Sequence, residues 1–218
     1  MKSSIGRKIL MALSGFFLLF FLLQHLLINI LSVISADSFN EVSYFMGTNP
    51  LIQFIMQPLL LFGVIFHLAM GIYLDFQNKK AKGQKNVSNN AGSNSNWMSR
   101  NMIITGLTVM AFLIAHFADF WLPEIVDKFI DGNSQEGKDY NHHVIEMFKN
   151  PIRVGLYSLS FIMLMLHLLH GFQSSFQSVG FSHNKYTPII KTLGNVYAVV
   201  IPLGFIFIAV YHHLAHAH

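Results

Sequence analysis

ILMALSGFFLLFFLLQHLLINILSVIS, residues 9–35, carries no charged side chain, and its reading decides the fold. An apolar helix of about 20 residues crosses a hydrocarbon core, and this run exceeds that length while staying apolar throughout. In lipid the backbone must satisfy its hydrogen bonds within its own segment, so a run this long is a helix rather than a strand. A cleavable leader is the competing reading. The stretch is too long for one, holds Gln24 and His25, and lacks a small-residue cleavage pattern, so a retained span is expected. Four further stretches follow the same pattern. The expected helices lie at about 8–35, 51–78, 98–122, 150–177 and 188–214, with an inner connector at 79–97 and an outer loop at 123–149. Residues 1–218 thus read as one all-α integral membrane domain, a bundle of five transmembrane helices.

Composition agrees, because 53% hydrophobic and 11% charged residues with a mean hydropathy of +0.47 exclude an ordinary soluble domain. With no cysteine, the chain has no thiolate for iron–sulfur clusters, no thioether-linked haem and no disulfide. A net charge of +4 raises the question of nucleic acid, but the basic residues flank apolar spans, so the bilayer is the partner and nucleic acid is excluded. Lys2, Arg7, Lys8, Lys79, Lys80, Lys82, Lys85, Arg100, Lys185 and Lys191 fall on one side of the bundle. Only Lys128, Lys138, Lys149 and Arg153 fall on the other, which sets the amino terminus in the cytoplasm and the carboxyl terminus outside. Residues 84–96 are rich in Asn, Ser and Gly and read as a flexible connector. Trp97 and Trp121 bracket the third span as interfacial anchors.

Within this topology His25, His67, His116 and His167 occupy four separate spans. Counting along each helix at about 1.5 Å per residue puts His25 and His116 at one depth and His67 and His167 at another, offset by on the order of 10 Å. An ionisable side chain in an apolar core needs a partner. Iron porphyrin supplies one for all four, and two imidazoles per iron favour electron transfer over oxygen activation. The bundle is therefore expected to enclose two b haems. The plain alternative, a hydrogen-bonding packing histidine, suits any one of them but not four at paired depths. Gly71 and Gly171 each follow a histidine by four residues, where glycine admits a flat macrocycle. His170, three residues after His167, competes for the fourth ligand position; His167 is preferred for its depth and its glycine.

Haem propionates seek cations and hydroxyls near the membrane faces. Arg7, Lys8, Ser14, Arg100, His170 and Lys191 are the inner candidates for propionate or quinone contact, and Arg153 is the outer one. The cations read equally well as snorkelling residues at helix ends. Gln24, Asp119 and Glu41 are candidates for quinone or proton contacts. Asp119 is favoured because it lies three residues beyond His116 and is partly embedded, whereas Asp37 and Glu124 read as solvated loop acids. The outer loop is expected to hold a short helix near 142–149. The run His212, His213, His216 and His218 reads either as a metal-binding cluster or as a solvated tail.

The opening Ser3-Ser4-Ile5-Gly6-Arg7-Lys8, followed by Met11-Ala12-Leu13-Ser14-Gly15, and the segment Leu166-His167-Leu168-Leu169-His170-Gly171-Phe172-Gln173-Ser174 through Phe176-Gln177-Ser178-Val179-Gly180 carry a resemblance. The chain resembles the single-subunit dihaem cytochrome b anchors of succinate:quinone oxidoreductases and quinol:fumarate reductases over essentially its whole length. The resemblance implies haem ligands on helices one to four, matching His25, His67, His116 and His167 and pairing helix one with three and two with four. It implies a bacterial cytoplasmic membrane, a flavoprotein partner with covalent FAD, an iron–sulfur partner and menaquinone exchanging electrons within this subunit. It leaves open the reverse direction, fumarate reduction, and a higher oligomer of the complex. Some fumarate reductases of the family carry a glutamate two residues before the fourth ligand; Met165 stands there, which puts that proton route in doubt. A non-redox transporter is the alternative class and calls for broken helices and an inverted repeat, which is not evident in this sequence.

Overall fold

A computed structural model describes residues 4–81, 101–181 and 183–216. Lys2, Lys82, Lys85, Trp97, Arg100, His218 and the connector 84–96 lie outside the described residues. The described residues form helices and no strand. Five apolar stretches are long enough to cross a bilayer: Ile5–Ile34, Ile52–Lys80, Met102–Ile130, Pro151–Ser178 and Thr187–His216. This is a multi-pass membrane protein.

The first span is α1 (Ser4–Asn29) continued by a short α2 (Leu31–Ile34). It stops at Ser35, whose extended backbone (φ −157°, ψ 110°) and side chain cap the next helix, the hydroxyl accepting from the Ser38 N–H at 3.2 Å. That helix, α3 (Ala36–Thr48), buries Phe39. The second span enters through one π-helical turn (Ile52–Met56) just ahead of Pro58 and continues as α4 (Gln57–Ala81).

The third span, α5 (Met102–His116), does not end near 122. It passes through a π-helical turn (Phe117–Trp121), α6 (Leu122–Ile125) and a second π-helical turn (Val126–Ile130). Pro123 has no N–H to give the Asp119 carbonyl four residues back. Wider π turns absorb that defect, and the Nε2 of His143 lies 2.9 Å from the same carbonyl oxygen, positioned to donate to it. Pro123, at the start of the expected outer loop, is thus carried inside the span.

Two further caps organise the far end. Asp139 opens α7 (Tyr140–Lys149) by accepting the His142 N–H at 2.9 Å, and Asn150 opens α8 (Pro151–Ser178) by accepting the N–H groups of Ile152 and Arg153 at 2.9 and 3.3 Å, with Pro151 in the first turn. Asn40 ties α3 to α7: its amide donates to Asp139 at 3.1 Å and its carbonyl accepts from the Asn141 N–H at 2.8 Å. The backbone N–H of His142, then the Asn40 amide, hold the Asp139 carboxyl below its ordinary pKa.

The last helix, α9 (Thr187–His216), packs most extensively on α8. Lipid tails are as apolar as leucine, so close packing rather than hydrophobic exclusion joins helices here. Ala198 and Ala209 are fully buried on α9, and Gly194 leaves room for the Phe172 ring, whose Cδ1 lies 2.6 Å from where a β-carbon would stand. Around this seam α1, α4, α5 and α8 form a square, with α1 beside α4 and α8, and α5 beside the same two. Hence α1 and α5 are diagonal to one another, as are α4 and α8.

Candidate functional site

The four intramembrane histidines project from the four helices of the square into two diagonal pairs. His25 of α1 and His116 of α5 have ring centroids 5.8 Å apart with planes 84° from parallel. His67 of α4 and His167 of α8 are 6.3 Å apart at 70°. It is His167, rather than His170, whose ring faces His67. The first pair lies toward the far end, the side of Ser32 and His212, which are joined at 2.9 Å. The second lies toward the near end, where Arg7 of α1 meets Tyr73 of α4.

Bonds of roughly 2.0 Å from a first-row metal to two imidazole nitrogens, plus the half-width of each ring, separate the centroids by about 6 Å. Both pairs have that separation. A flat macrocycle also needs apolar walls, and aromatic rings flank the far pair. Phe21 stacks on His25 at 5.3 Å and Phe112 on His116 at 5.7 Å, while Tyr157 stands 6.3 Å from His116. The Nδ1 of His116 is buried with no hydrogen-bond partner. The near pair is held differently: Nδ1 of His67 lies 3.0 Å from the Ser14 hydroxyl, and Nδ1 of His167 lies 3.2 Å from that of Thr105. The donor sets fit two bis-imidazole irons.

The other candidates sort by position. Asp119 and Arg153 engage each other, the guanidinium donating at 3.0 Å, and Tyr157 donates its hydroxyl to the second carboxylate oxygen at 2.6 Å. Arg7 donates to the Tyr73 hydroxyl at 2.9 Å and lies 5.6 Å over that ring, while its Nε is buried without a partner. Together with Leu10, Phe66 and Met70 they line a cleft of about 330 Å³. Lys8, Lys191 and Glu41 are exposed; Gln24 and His170 are half-buried. His212 is 1% exposed and His213 lies 3.1 Å from the Phe148 carbonyl oxygen, so two of the four terminal histidines are packed into the fold, and the described residues hold no cluster of three metal-ligating side chains.

Over the far end the loop between Ile130 and α7 folds onto a polar knot. Lys138 donates to Glu124 at 2.7 Å and to Asp127 at 2.6 Å, and Lys128 pairs with Glu124 at 3.3 Å. Burial alone would lower the pKa of Lys138, but hydrogen bonds and the charges of Asp127 and Glu124 hold it above the ordinary lysine value. Burial, then the charge of Glu124, pushes the Tyr140 hydroxyl up to about 12.

A family described as the succinate dehydrogenase/fumarate reductase transmembrane subunit matches residues 7–94. The succinate dehydrogenase cytochrome b558 subunit of Bacillus subtilis is 24% identical over 156 residues, 71% of this chain and 69% of that protein. The chain is similar to both over these stretches. No solved structure matches it significantly.

The family match covers α1 and α4, and the second helix pair repeats the first. MALSGFFLLFFLLQH at 11–25 aligns without gaps on MIITGLTVMAFLIAH at 102–116, keeping Met, Gly, Phe, Leu and His in register. Likewise His67, Leu68, Gly71, Phe76 and Gln77 correspond to His167, Leu168, Gly171, Phe176 and Gln177. The contacts repeat as well. Met11 lies over Gly71 as Met102 lies over Gly171, and Gly15 faces His67 as Gly106 faces His167. The space above Gly71 and Gly171 is therefore met by thioether methyls. Thr105, Tyr157 and Tyr73 were absent from the residues singled out in the sequence, yet the first was within reach, since it occupies the register position of Ser14 in the repeat.

Proposed function

We propose that this chain is the dihaem cytochrome b anchor of a succinate:quinone oxidoreductase, passing electrons from a partner iron–sulfur subunit to menaquinone. Succinate would be oxidised on covalent FAD in a flavoprotein partner. The observation that carries the reading is the pair of diagonal His–His contacts at two levels; the kinship with a succinate dehydrogenase cytochrome b subunit supports it. Each haem, when bound, would supply a one-electron iron couple. His67 and His167 would hold the near group, and His25 and His116 the far one. Phe21, Phe112 and Tyr157 exclude water around the far ligands.

Orientation follows from charge: Arg7, Lys8, Lys79, Lys80, Lys185 and Lys191 gather at the near face, which we assign to the cytoplasm of a bacterial cell, where soluble partners dock. Asp119, held by Arg153 and Tyr157 one turn beyond His116, would exchange a proton with quinone at the far end. The test is a reduced-minus-oxidised optical spectrum with pyridine haemochrome quantification on the purified complex. Two b haems per chain are expected; none would overturn the assignment.

A further inference from the structure

Hydroxyl side chains inside these helices divide into two kinds. Thr48, Thr108, Ser160, Ser178 and Thr192 each donate to the carbonyl four residues back, the usual way such a group satisfies itself in an apolar helix. Ser14, Ser32 and Thr105 instead donate to the carbonyl three residues back, Met11 at 2.8 Å, Asn29 at 2.7 Å and Met102 at 3.0 Å. Ser32 thereby meets Nε2 of His212 at 2.9 Å, while the oxygens of Ser14 and Thr105 meet Nδ1 of His67 and His167, the near pair, at 3.0 and 3.2 Å. A hydroxyl has one proton to give. With that proton on the backbone carbonyl, the Ser14 and Thr105 oxygens can only accept, so Nδ1–H of the imidazole donates to each and Nε2 carries the lone pair.

We propose that Ser14 and Thr105 are matched positioning residues, which fix the Nδ1–H tautomer of His67 and His167 and aim the two Nε2 lone pairs at one iron between them. This rests on the dihaem reading above and concerns only the near iron. The internal repeat is a second observation: Ser14 and Thr105 fall at the same register position, each followed by the glycine that lets the imidazole come close. The far pair lacks the device. Nδ1 of His116 has no partner. Beside His25 stands the Asn29 amide nitrogen, 3.3 Å from Nδ1, 3.5 Å from Nε2 and donating to the His25 carbonyl at 2.8 Å, a group that cannot accept a proton. An imidazole whose Nδ1–H is hydrogen-bonded donates more charge through Nε2 and favours ferric iron. The near haem is thus lowered in potential by a contribution the far haem does not receive.

The experiment is a potentiometric titration of both haems, with low-spin EPR spectra, on the purified complex carrying Ser14→Ala, Thr105→Val or both. The far haem in the same sample reports on folding. Each substitution should move the near haem upward in midpoint potential and shift its largest g value, the double more than either single. Ser14→Thr and Thr105→Ser, which keep the hydroxyl, should restore the wild-type signals. Loss of the near haem in the hydroxyl-free variants, with retention in the hydroxyl-keeping ones, would also support the assignment. Two haems with unmoved potentials, or equal disturbance by hydroxyl-keeping variants, would overturn it. A wild-type complex without b haem would instead overturn the functional reading on which it rests.

Discussion

His167 and His170 sit one turn apart on α8, and the geometry distinguishes them: the His167 ring faces His67 at 6.3 Å, while His170 is half-buried. Replacing His167 by Ala should therefore remove one b haem per chain by pyridine haemochrome, and replacing His170 by Ala should remove none. Retention in the first with loss in the second would reverse the roles. Depth, with the glycine that follows His167 deciding against His170, singled out the four histidines, because a helix advances by a fixed rise. What each polar neighbour does was less legible. Ser14 reads as a propionate or quinone contact, yet its oxygen meets a histidine 53 residues away on α4. Asp119 reads as an embedded acid, but its pairing with Arg153 and Tyr157 depends on how α5 and α8 cross, which no local pattern encodes.

At the scale of the helix, long apolar runs announced all five spans, whereas the third, expected to end near 122, runs on past Pro123 to Ile130. His143, on another helix, occupies the carbonyl that the proline leaves free. The α8–α9 seam depends on a close fit at Gly194, where the Phe172 ring already fills the β-carbon position at 2.6 Å. Gly194→Val should lower the stability of the purified protein by about 1–3 kcal/mol, the usual cost of overpacking. A thermal-unfolding midpoint equal to wild type would count against that seam. The α3–α7 clamp has its own pH dependence. Because the Asp139 carboxyl titrates below its unfolded value of 3.8, its contribution is complete above that pH and is lost as pH falls through the lower, folded value. Pepsin cleavage between Gly132 and Lys149 should rise steeply on acidification below about 3.8. In Asp139→Asn, which keeps a capping side chain without the titration, that rise should be shallower; identical profiles would remove Asp139 as the cause.

Across the whole molecule the repeat explains why the paired histidines lie at two levels. A helix pair carrying one far and one near histidine is followed by a second pair of the same direction, so each level receives one imidazole from each copy. Repeats of this kind, related by an axis along the membrane normal, place shared sites where the copies meet. Diagonal placement in the square then follows from the packing, since α1 lies beside α4 and α8, and α5 beside the same two. The arrangement makes a prediction about pairs of substitutions that no single residue makes. His25→Ala combined with His116→Ala removes two ligands of one iron, so the double should lose the same single haem as either parent. His25→Ala combined with His67→Ala strikes both levels from one repeat and should lose both haems. Haem-to-protein ratios of one for the first double and zero for the second are expected, measured beside a wild-type ratio of two. If the first double emptied both levels while each single emptied only one, the irons would not be held level by level, and the two-fold arrangement of ligands would be wrong.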